Sequence, residues 1–332
     1  MNPSKKNVKA LALFSGGLDS MIAIKLLTLQ GIEVIALYMD IGFGSKTDIT
    51  QTLQNRASLV GAKLHVVDIK EEYIRDILFS PKYGYGKHFN PCIDCHGYMF
   101  KIASSLLDKL NAQFIISGEV LGQRPMSQRS DAMRSVKKLS GLEEDLILRP
   151  MSAKHMPLTK PEIEGWVDRD KLLGITGRGR DTQLALAKEY GWEDFQSPGG
   201  GCLLTDPRFS EKLKEFLKYE SLHVKDVALL KAGRHLRLPN QSKLIIGRDQ
   251  AENEILEHIN HEGYLRVKTL GIPGPFALLS KSANKEDKNL SARLVLTFCK
   301  TSPNEIYTVE VGAQSIQASP FETREEAHQY LI

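Results

Sequence analysis

Two parts of this sequence combine residue types and spacing that can do chemistry: the run Ser15-Gly16-Gly17-Leu18-Asp19-Ser20, and three cysteines, Cys92 and Cys95 in NPCIDCH and Cys202 in SPGGGCLLT. The six-residue run interrupts an apolar stretch that stops at Phe14 and resumes at Met21. A strand ending at Phe14 followed by a helix would present free backbone N–H groups at the helix N-terminus, which is an anion site. The glycines let the main chain approach phosphate oxygens with no Cβ in the way, and Ser15 and Ser20 add hydroxyl donors. A carboxylate at Asp19 would repel phosphates unless a divalent cation intervened, which points to Mg²⁺. The plainer alternative is a strand-to-helix turn in which Ser or Asp serves as an ordinary N-cap.

Cys92 and Cys95 stand two residues apart beside a helix start, where the helix dipole favours thiolates and the spacing suits a metal. Cys202 lies in a glycine-rich loop able to fold back over the site. Three thiols leave one coordination position open. A structural zinc would need a fourth ligand, for which His96 and His88 are the candidates. A 4Fe-4S cluster held by three thiolates would leave one iron free to carry an extra sulfur. A metal-free alternative puts a persulfide on one cysteine and uses another to resolve it. Cys299, in the alternating run ARLVLTFCK, reads as the core of a strand.

The elements that must position these residues emerge from hydrophobic patterning. VKALALF, MIAIKLLTLQG, EVIALYMDI, ITQTLQNRASLVGA, KLHVVDI, a helical stretch around Tyr98 to Leu110 and AQFIISGE alternate strand and helix. This β-α-β order predicts an α/β fold with a doubly wound parallel sheet and ligands at the carboxyl ends of its strands. The pattern decays near Arg149, and GITGRGRDTQ and SPGGGCLLTDP read as loops around one helix. RFSEKLKEFLKYE is a charged amphipathic helix, after which GRHLRL, SKLIIGRD, YLRVKTL, ARLVLTF and IYTVEVGA read as short strands. The expected organisation is a nucleotide-binding domain over 1–172, a glycine-rich loop with Cys202 and a connecting helix over 173–221, and a smaller α+β domain over 222–332.

Composition bounds the function. The 332 residues are 42% hydrophobic, enough for a full core, and 44 basic against 40 acidic residues give a net charge of +4, so any nucleic-acid partner depends on where charges cluster. No apolar run approaches the roughly 20 residues that cross a bilayer, and MNPSKKNVKA lacks a signal-peptide core, so a cytoplasmic protein with no membrane partner is expected. Four cysteines are too few for a disulfide framework.

SGGLDS in the first β-α turn closely resembles the PP-loop of N-type ATP pyrophosphatases, which cleave ATP between the α and β phosphates and adenylate a carbonyl oxygen. It lacks the Lys-Ser/Thr ending of the Walker loop. The resemblance implies that Ser15, Gly16, Gly17, Leu18, Asp19 and Ser20 hold ATP with Mg²⁺, and that main chain near Leu37, Tyr38 and Met39 holds the adenine. FIISGEVLGQRPMSQ and ILRPMSAKHMPLTKPEI resemble segments of tRNA 4-thiouridine synthetases, and NPCIDCHGYMFK resembles the NPC-x-x-C start of the 2-thiouridylases; together these segments cover roughly residues 8 to 205. The resemblance makes Gly118, Glu119, Gln123 and Ser127 nucleotide-site or loop-shaping residues. It makes Lys160 a phosphate contact, beside the plain reading of a solvated lysine at a helix start. The sequence departs from these families in having no recognisable RNA-binding domain ahead of the loop and no rhodanese-like tail.

LLKAGRHLRLPNQSKLIIGRDQAEN with GIPGPFALL is similar to the NFACT-R module of ribosome-quality-control factors, an RNA-associated domain, over roughly residues 222 to 300. Arg234, His235, Arg237 and Arg248 lie there, while Arg178 and Arg180 flank the glycine-rich loop. Alternation sets Arg237 and Arg266 opposite apolar neighbours, and an ordinary solvated strand face is the alternative.

The expected activity is ATP-dependent thiolation of a tRNA uridine, with Asp19, Cys92, Cys95 and Cys202 as its catalytic residues and the three cysteines as the ligands of a 4Fe-4S cluster. The expected partners are tRNA and a sulfur donor, either sulfide or a persulfide derived from a cysteine desulfurase; a homodimer is left open. The rivals are an amide-forming PP-loop ligase or synthetase acting on a small molecule, and an RNA-binding adaptor whose loop only senses nucleotide.

Overall fold

The computed structural model describes residues 8–44, 49–142, 145–195 and 201–332; residues 196–200 of the expected glycine-rich loop lie outside the described residues. The chain divides into two compact units, Met1–Thr205 and Asp206–Ile332, so the helix of RFSEKLKEF groups with the second unit.

In the first unit the elements run β1 (Lys9–Leu13), α1 (Leu18–Thr28), β2 (Glu33–Asp40), α2 (Thr50–Leu59), β3 (Lys63–Asp68), α3 (Lys70–Tyr73), α4 (Cys92–Leu106), β4 (Phe114–Ser117), α5 (Ser130–Ser140), β5 (Ile147–Leu148), α6 (Lys160–Ile163) and α7 (Asp181–Glu189). The sheet order is β3-β2-β1-β4-β5, every pair parallel. The chain moves outward from β1 to β3 on one side and restarts at β4 on the other. Strand order therefore reverses at β1, and the carboxyl ends of β1 and β4 border the crevice where such sheets bind ligands. Because β1 is central it is apolar on both faces, with Ala10, Leu11 and Ala12 buried. Helix α1 is buried almost all round, through Met21, Ile22, Ala23, Ile24 and Leu27. Helices α4 and α5 approach closely at Gly97, where a Cβ would lie 2.5 Å from the Cβ of Leu139. The expected doubly wound α/β architecture is the one observed.

The second unit contains α8 (Pro207–Phe216), α9 (Val224–Lys231), β6 (Arg234–Arg237), β7 (Lys243–Ile246), α10 (Gln250–His258), β8 (Tyr264–Leu270), β9 (Ala277–Ser280), α11 (Lys285–Thr297), β10 (Tyr307–Val311), β11 (Gln314–Ala318) and α12 (Arg324–His328). Its sheet is antiparallel, in the order β11-β10-β8-β9-β7-β6. Alternation along β7 sends Leu244 and Ile246 to a core shared with α11 and α12, and Ile245 to a core shared with α9 and α10.

One expected strand is wrong. ARLVLTF forms the last turns of α11, because the stretch from Lys285 is continuous and well capped: the Asn284 side chain accepts from the Asp287 N–H at 2.8 Å, and Glu286 and Asp287 occupy the first turn. The short Leu-Val-Leu alternation yields to that longer helical context. Cys299 therefore lies just beyond the helix, and its S–H donates to the Val295 carbonyl at 3.3 Å.

Glu215 on α8 binds two cations of the sheet, the part-buried Arg237 through Nε at 2.6 Å and the fully buried Lys243 through Nζ. Removing one partner of such a set leaves charge uncompensated in the interior. Glu215→Ala is expected to destabilise this unit by about 3–5 kcal/mol in urea unfolding, whereas Glu215→Met combined with both Arg237→Met and Lys243→Met should recover most of that loss. Equal stability of the single and triple variants would contradict the pairing.

Candidate active site

The loop after β1 is shaped by its glycines. Gly16 has φ +73°, and a Cβ there would meet Leu53 Cδ2 at 2.5 Å. Gly17 is the N-cap of α1 in extended conformation, with no side chain capping the helix among the described residues, so first-turn N–H groups face the crevice. Ser15 Oγ accepts from the Gly17 N–H at 3.3 Å and lies 3.4 Å from Ser20 Oγ, and the Ser20 hydroxyl donates to the Gly17 carbonyl at 2.8 Å. Leu18, by contrast, is buried and packs into the core. The Arg56 guanidinium holds the far side of the loop, donating to the Gly16 carbonyl at 3.1 Å and pairing with Asp194 at 2.7 Å.

Asp19 is bound on both oxygens. Gln123 Nε2 donates to one at 2.7 Å and Arg180 Nη2 to the other at 3.4 Å, while Gln183 Nε2 donates to Gln123 Oε1 at 3.0 Å. Two buried atoms of this set, Arg180 Nε and Gln183 Oε1, have no protein partner among the described residues. The loop after β4 touches this group directly: a Cβ on Gly118 would lie 2.5 Å from the Ser20 nitrogen and 2.6 Å from the Asp19 carbonyl carbon. Only glycine allows that approach.

Glu119 carries the contact onward. Its carboxylate receives Arg149 Nε at 2.8 Å, His96 Nδ1 at 2.9 Å and the Ser117 hydroxyl at 3.2 Å. Burial alone would raise its pKa, but the Arg149 charge and the His96 contact overcome that and hold it at about 2. His96 lies one turn into α4, the helix that Cys92 begins.

The three cysteines lie within electrostatic reach of one another. Cys92 Sγ accepts from Asn90 Nδ2 at 3.2 Å. Cys95 is buried and hydrogen-bonds the hydroxyl of buried Tyr73. The Cys202 segment is pinned by the Leu203 N–H donating to the Phe43 carbonyl at 2.8 Å, just past the end of β2. Burial pushes all three thiols up, Cys202 to about 11, with the Leu204 and Thr205 N–H groups pulling Cys202 the other way. Among the described residues no group of three His, Cys, Asp or Glu side chains stands at metal-ligand spacing, so the thiols are neighbours and not a formed ligand shell.

The other expected residues are spread more widely. Met39 is buried near the end of β2, and the Phe14 N–H donates to the Leu37 carbonyl at 2.8 Å. Ser127 is buried in the loop before α5. Lys160 opens α6 on the β5 side, its N–H donating to the Asp145 carbonyl at 2.9 Å. Arg180, singled out for its place beside the glycine-rich loop, instead pairs with Asp19. Sequence alone does not assign His96, Arg149, Arg56 and Gln183 to these contacts; the one signal is the place of His96 directly after Cys95, and that spacing points toward zinc.

In the second unit, the basic residues expected to meet RNA are partnered internally. Arg237 binds Glu215 and stacks over Tyr219 at 4.2 Å, Arg248 pairs with Glu252, and Arg234 donates to the Gly247 carbonyl at 3.2 Å. His235 is buried, and that burial lowers its pKa well below the usual histidine value, so it is neutral. The open strand face expected at Arg237 is thus covered by α8.

Residues 9–85 match the family described as argininosuccinate synthase N-terminal HUP domain, and residues 233–331 match the NFACT protein RNA binding domain. The chain is 26% identical over 242 residues to the tRNA-specific 2-thiouridylase MnmA of Pseudomonas fluorescens, covering 70% of this chain and 61% of that protein. It is 30% identical over 167 residues to a probable tRNA sulfurtransferase of Thermococcus kodakarensis, covering 50% of this chain and 41% of that protein. A crystal structure of a 4-thiouridine synthetase–RNA complex with bound ATP aligns at TM-score 0.42 and 18% identity, over 68% of this chain and 52% of that one. The chain spans only 35% to 61% of the length of the first curated relatives it matches. The chain is thus similar to a HUP domain over residues 9–85, the part that holds SGGLDS, and to an NFACT RNA binding domain over residues 233–331.

Since Glu119 titrates at about 2 in the fold against an ordinary 4.5, its stabilisation is complete above pH 4.5 and is lost as pH falls from there toward 2. Glu119→Gln leaves buried Arg149 without its counter-charge and should cost about 3–5 kcal/mol at pH 7. The gap to wild type in urea unfolding should narrow as the pH drops below 4.5; a gap independent of pH would contradict the assignment.

Proposed function

We propose that this chain is an ATP-dependent tRNA sulfurtransferase that adenylates a uridine carbonyl oxygen and replaces that oxygen with sulfur. The observation that carries the reading is the unbroken path Asp19–Gly118–Glu119–His96–α4, which joins the anion-binding loop to the helix that Cys92 begins, at the carboxyl end of a single sheet. Supporting it, relatives named as thiouridylase and sulfurtransferase match 70% and 50% of this chain.

In this reading Ser15 to Ser20 receive the phosphates of ATP. The uridine oxygen attacks the α-phosphorus, a P–O bond forms, and pyrophosphate leaves with the electrons of the broken bond. Mg²⁺, when bound, would be held with the help of the Asp19 carboxylate and would neutralise phosphate charge. Sulfur then bonds to the activated carbon, and AMP departs carrying the former carbonyl oxygen. The fold's part is alignment of base, phosphate and sulfur, with N–H groups and Arg180 stabilising the phosphate charge.

Cys92, Cys95 and Cys202 would hold three irons of a 4Fe-4S cluster, whose open iron supplies a binding place for sulfide. The donor set fits in kind and number: three thiols gather, hydrogen-bond donors meet each sulfur, and the remaining cysteine, Cys299, belongs to the other unit. The metal-free reading has a persulfide sulfur attack the carbon. A second cysteine then forms a disulfide as the thiocarbonyl is released, and a thiol reductant returns the two electrons.

A second reading, ATP-dependent ligation of a small molecule, is favoured by the match of residues 9–85 to the argininosuccinate synthase HUP domain; that match ends before Cys92. It predicts turnover that survives loss of the cysteines.

Asp19→Asn should lower tRNA-dependent pyrophosphate release by about a hundredfold or more with unfolding unchanged, and wild-type turnover in this variant would overturn the PP-loop role. Protein prepared without oxygen and reconstituted with iron and sulfide should thiolate tRNA from sulfide, read by nucleoside mass spectrometry. Cys92→Ala, Cys95→Ala and Cys202→Ala should each abolish product and iron binding, and Cys299→Ala neither. Full-rate thiolation by iron-free protein from a persulfide donor would replace the cluster with the two-cysteine relay.

A further inference from the structure

Residues 79–91, FSPKYGYGKHFNP, join the turn that ends at Leu78 to Cys92 with neither helix nor strand. Three aromatic rings face solvent there: Phe79 is 39% exposed, Tyr83 36% and Tyr85 41%. Phe79 and Tyr85 pack against Phe89, with ring centroids 6.2 Å and 4.8 Å away, so these three rings form one surface, and the exposed Tyr83 stands in the same segment, fixed through its backbone N–H. Exposed Lys82 and Lys87 alternate with them, and Arg124 acts electrostatically on Cys92.

The segment is held in place. The buried Asp94 carboxylate accepts the N–H groups of Lys82 and Tyr83 at 2.8 and 3.0 Å, and Asn90 Oδ1 accepts that of His88 at 3.0 Å. The Tyr85 hydroxyl donates to the Leu78 carbonyl at 2.8 Å. Gly86 sits so close that a Cβ would lie 2.5 Å from Asn90 Nδ2, the same group that donates to Cys92 Sγ at 3.2 Å. A fixed aromatic surface thus adjoins the thiols.

Aromatic rings interleaved with lysines suit unstacked bases and their phosphates, because every base has a π-face and each lysine neutralises backbone charge. A protein partner fits less well, since lysine is depleted at the cores of such interfaces. We propose that residues 79–91 form a single-stranded RNA stacking surface that receives nucleotides flanking the base presented to Cys92. This deepens the sulfurtransferase reading, and its placement of the reacting base rests on that reading.

The test uses the full chain with a fluorescently labelled oligouridylate and an unmodified tRNA transcript. Tyr83→Leu and Phe79→Leu should each weaken oligouridylate binding about tenfold and raise KM for tRNA with kcat little changed, whereas Tyr83→Trp should bind as wild type. Lys82→Gln with Lys87→Gln should flatten the slope of log affinity against log salt by about 1.4. ATP affinity and circular dichroism should be unchanged in all of them. Unaltered oligouridylate and tRNA affinity in the leucine and glutamine variants overturns the surface, even if the enzyme thiolates tRNA. Conversely, wild-type protein that binds oligouridylate through these residues yet yields no thiolated tRNA sustains the surface and removes the sulfurtransferase reading.

Discussion

Gly118 lies with its Cα against the backbone of Asp19 and Ser20, so close that the smallest side chain would fall 2.5 Å from the Ser20 nitrogen. Two loops from adjacent parallel strands, β1 and β4, are thereby locked together at the point where strand order reverses. The residues just beyond Gly118 inherit that lock. Gln123 reaches back to Asp19, and Glu119 turns the other way to Arg149 and His96. The glycine-rich loop after β1 and the first turn of α4 are consequently fixed relative to each other by main-chain contact and two carboxylate clusters, a part-exposed one at Asp19 and a buried one at Glu119.

The electrostatics of those clusters divide the labour. Glu119 is buried and held ionised by Arg149, so it behaves as a structural hub that does not change charge near neutral pH. Asp19 is part-exposed, and its partner Arg180 is joined to it at 3.4 Å, a longer contact than the 2.8 Å between Arg149 and Glu119. Among the described residues the buried Nε of Arg180 and Oε1 of Gln183 lack protein partners, so polar capacity remains beside the loop. The fixed pair supports the framework, and the looser pair stands beside the glycine-rich loop after β1.

Much of this is legible in the sequence for local reasons. An apolar strand, two glycines and an apolar helix specify their own turn, and the strand-helix alternation specifies a parallel sheet. Partnerships between distant segments are not legible. Arg180 and Asp19 are 161 residues apart, and nothing in GITGRGRDTQ says which carboxylate its arginines will meet. Basic residues in GRHLRL read as a face for RNA, because alternation cannot reveal that Glu215, on a helix upstream, covers Arg237 and Lys243. ARLVLTF misleads in a related way: its alternation is real, but the cap at Asn284 begins a helix that runs through it. Convergence of Cys202 with Cys92 and Cys95 is foreshadowed by the loop's composition; the tie from Leu203 to Phe43 that holds it at the end of β2 is not.

The central claim is that one oxygen leaves the uridine on AMP when sulfur takes its place. Transcribed tRNA carrying ¹⁸O at the uridine carbonyl oxygens, turned over with unlabelled ATP and sulfide, tests it directly by mass spectrometry of the released AMP. The account predicts one ¹⁸O in AMP for each thiolated uridine. AMP that carries no label, with thiolated product formed, would contradict it.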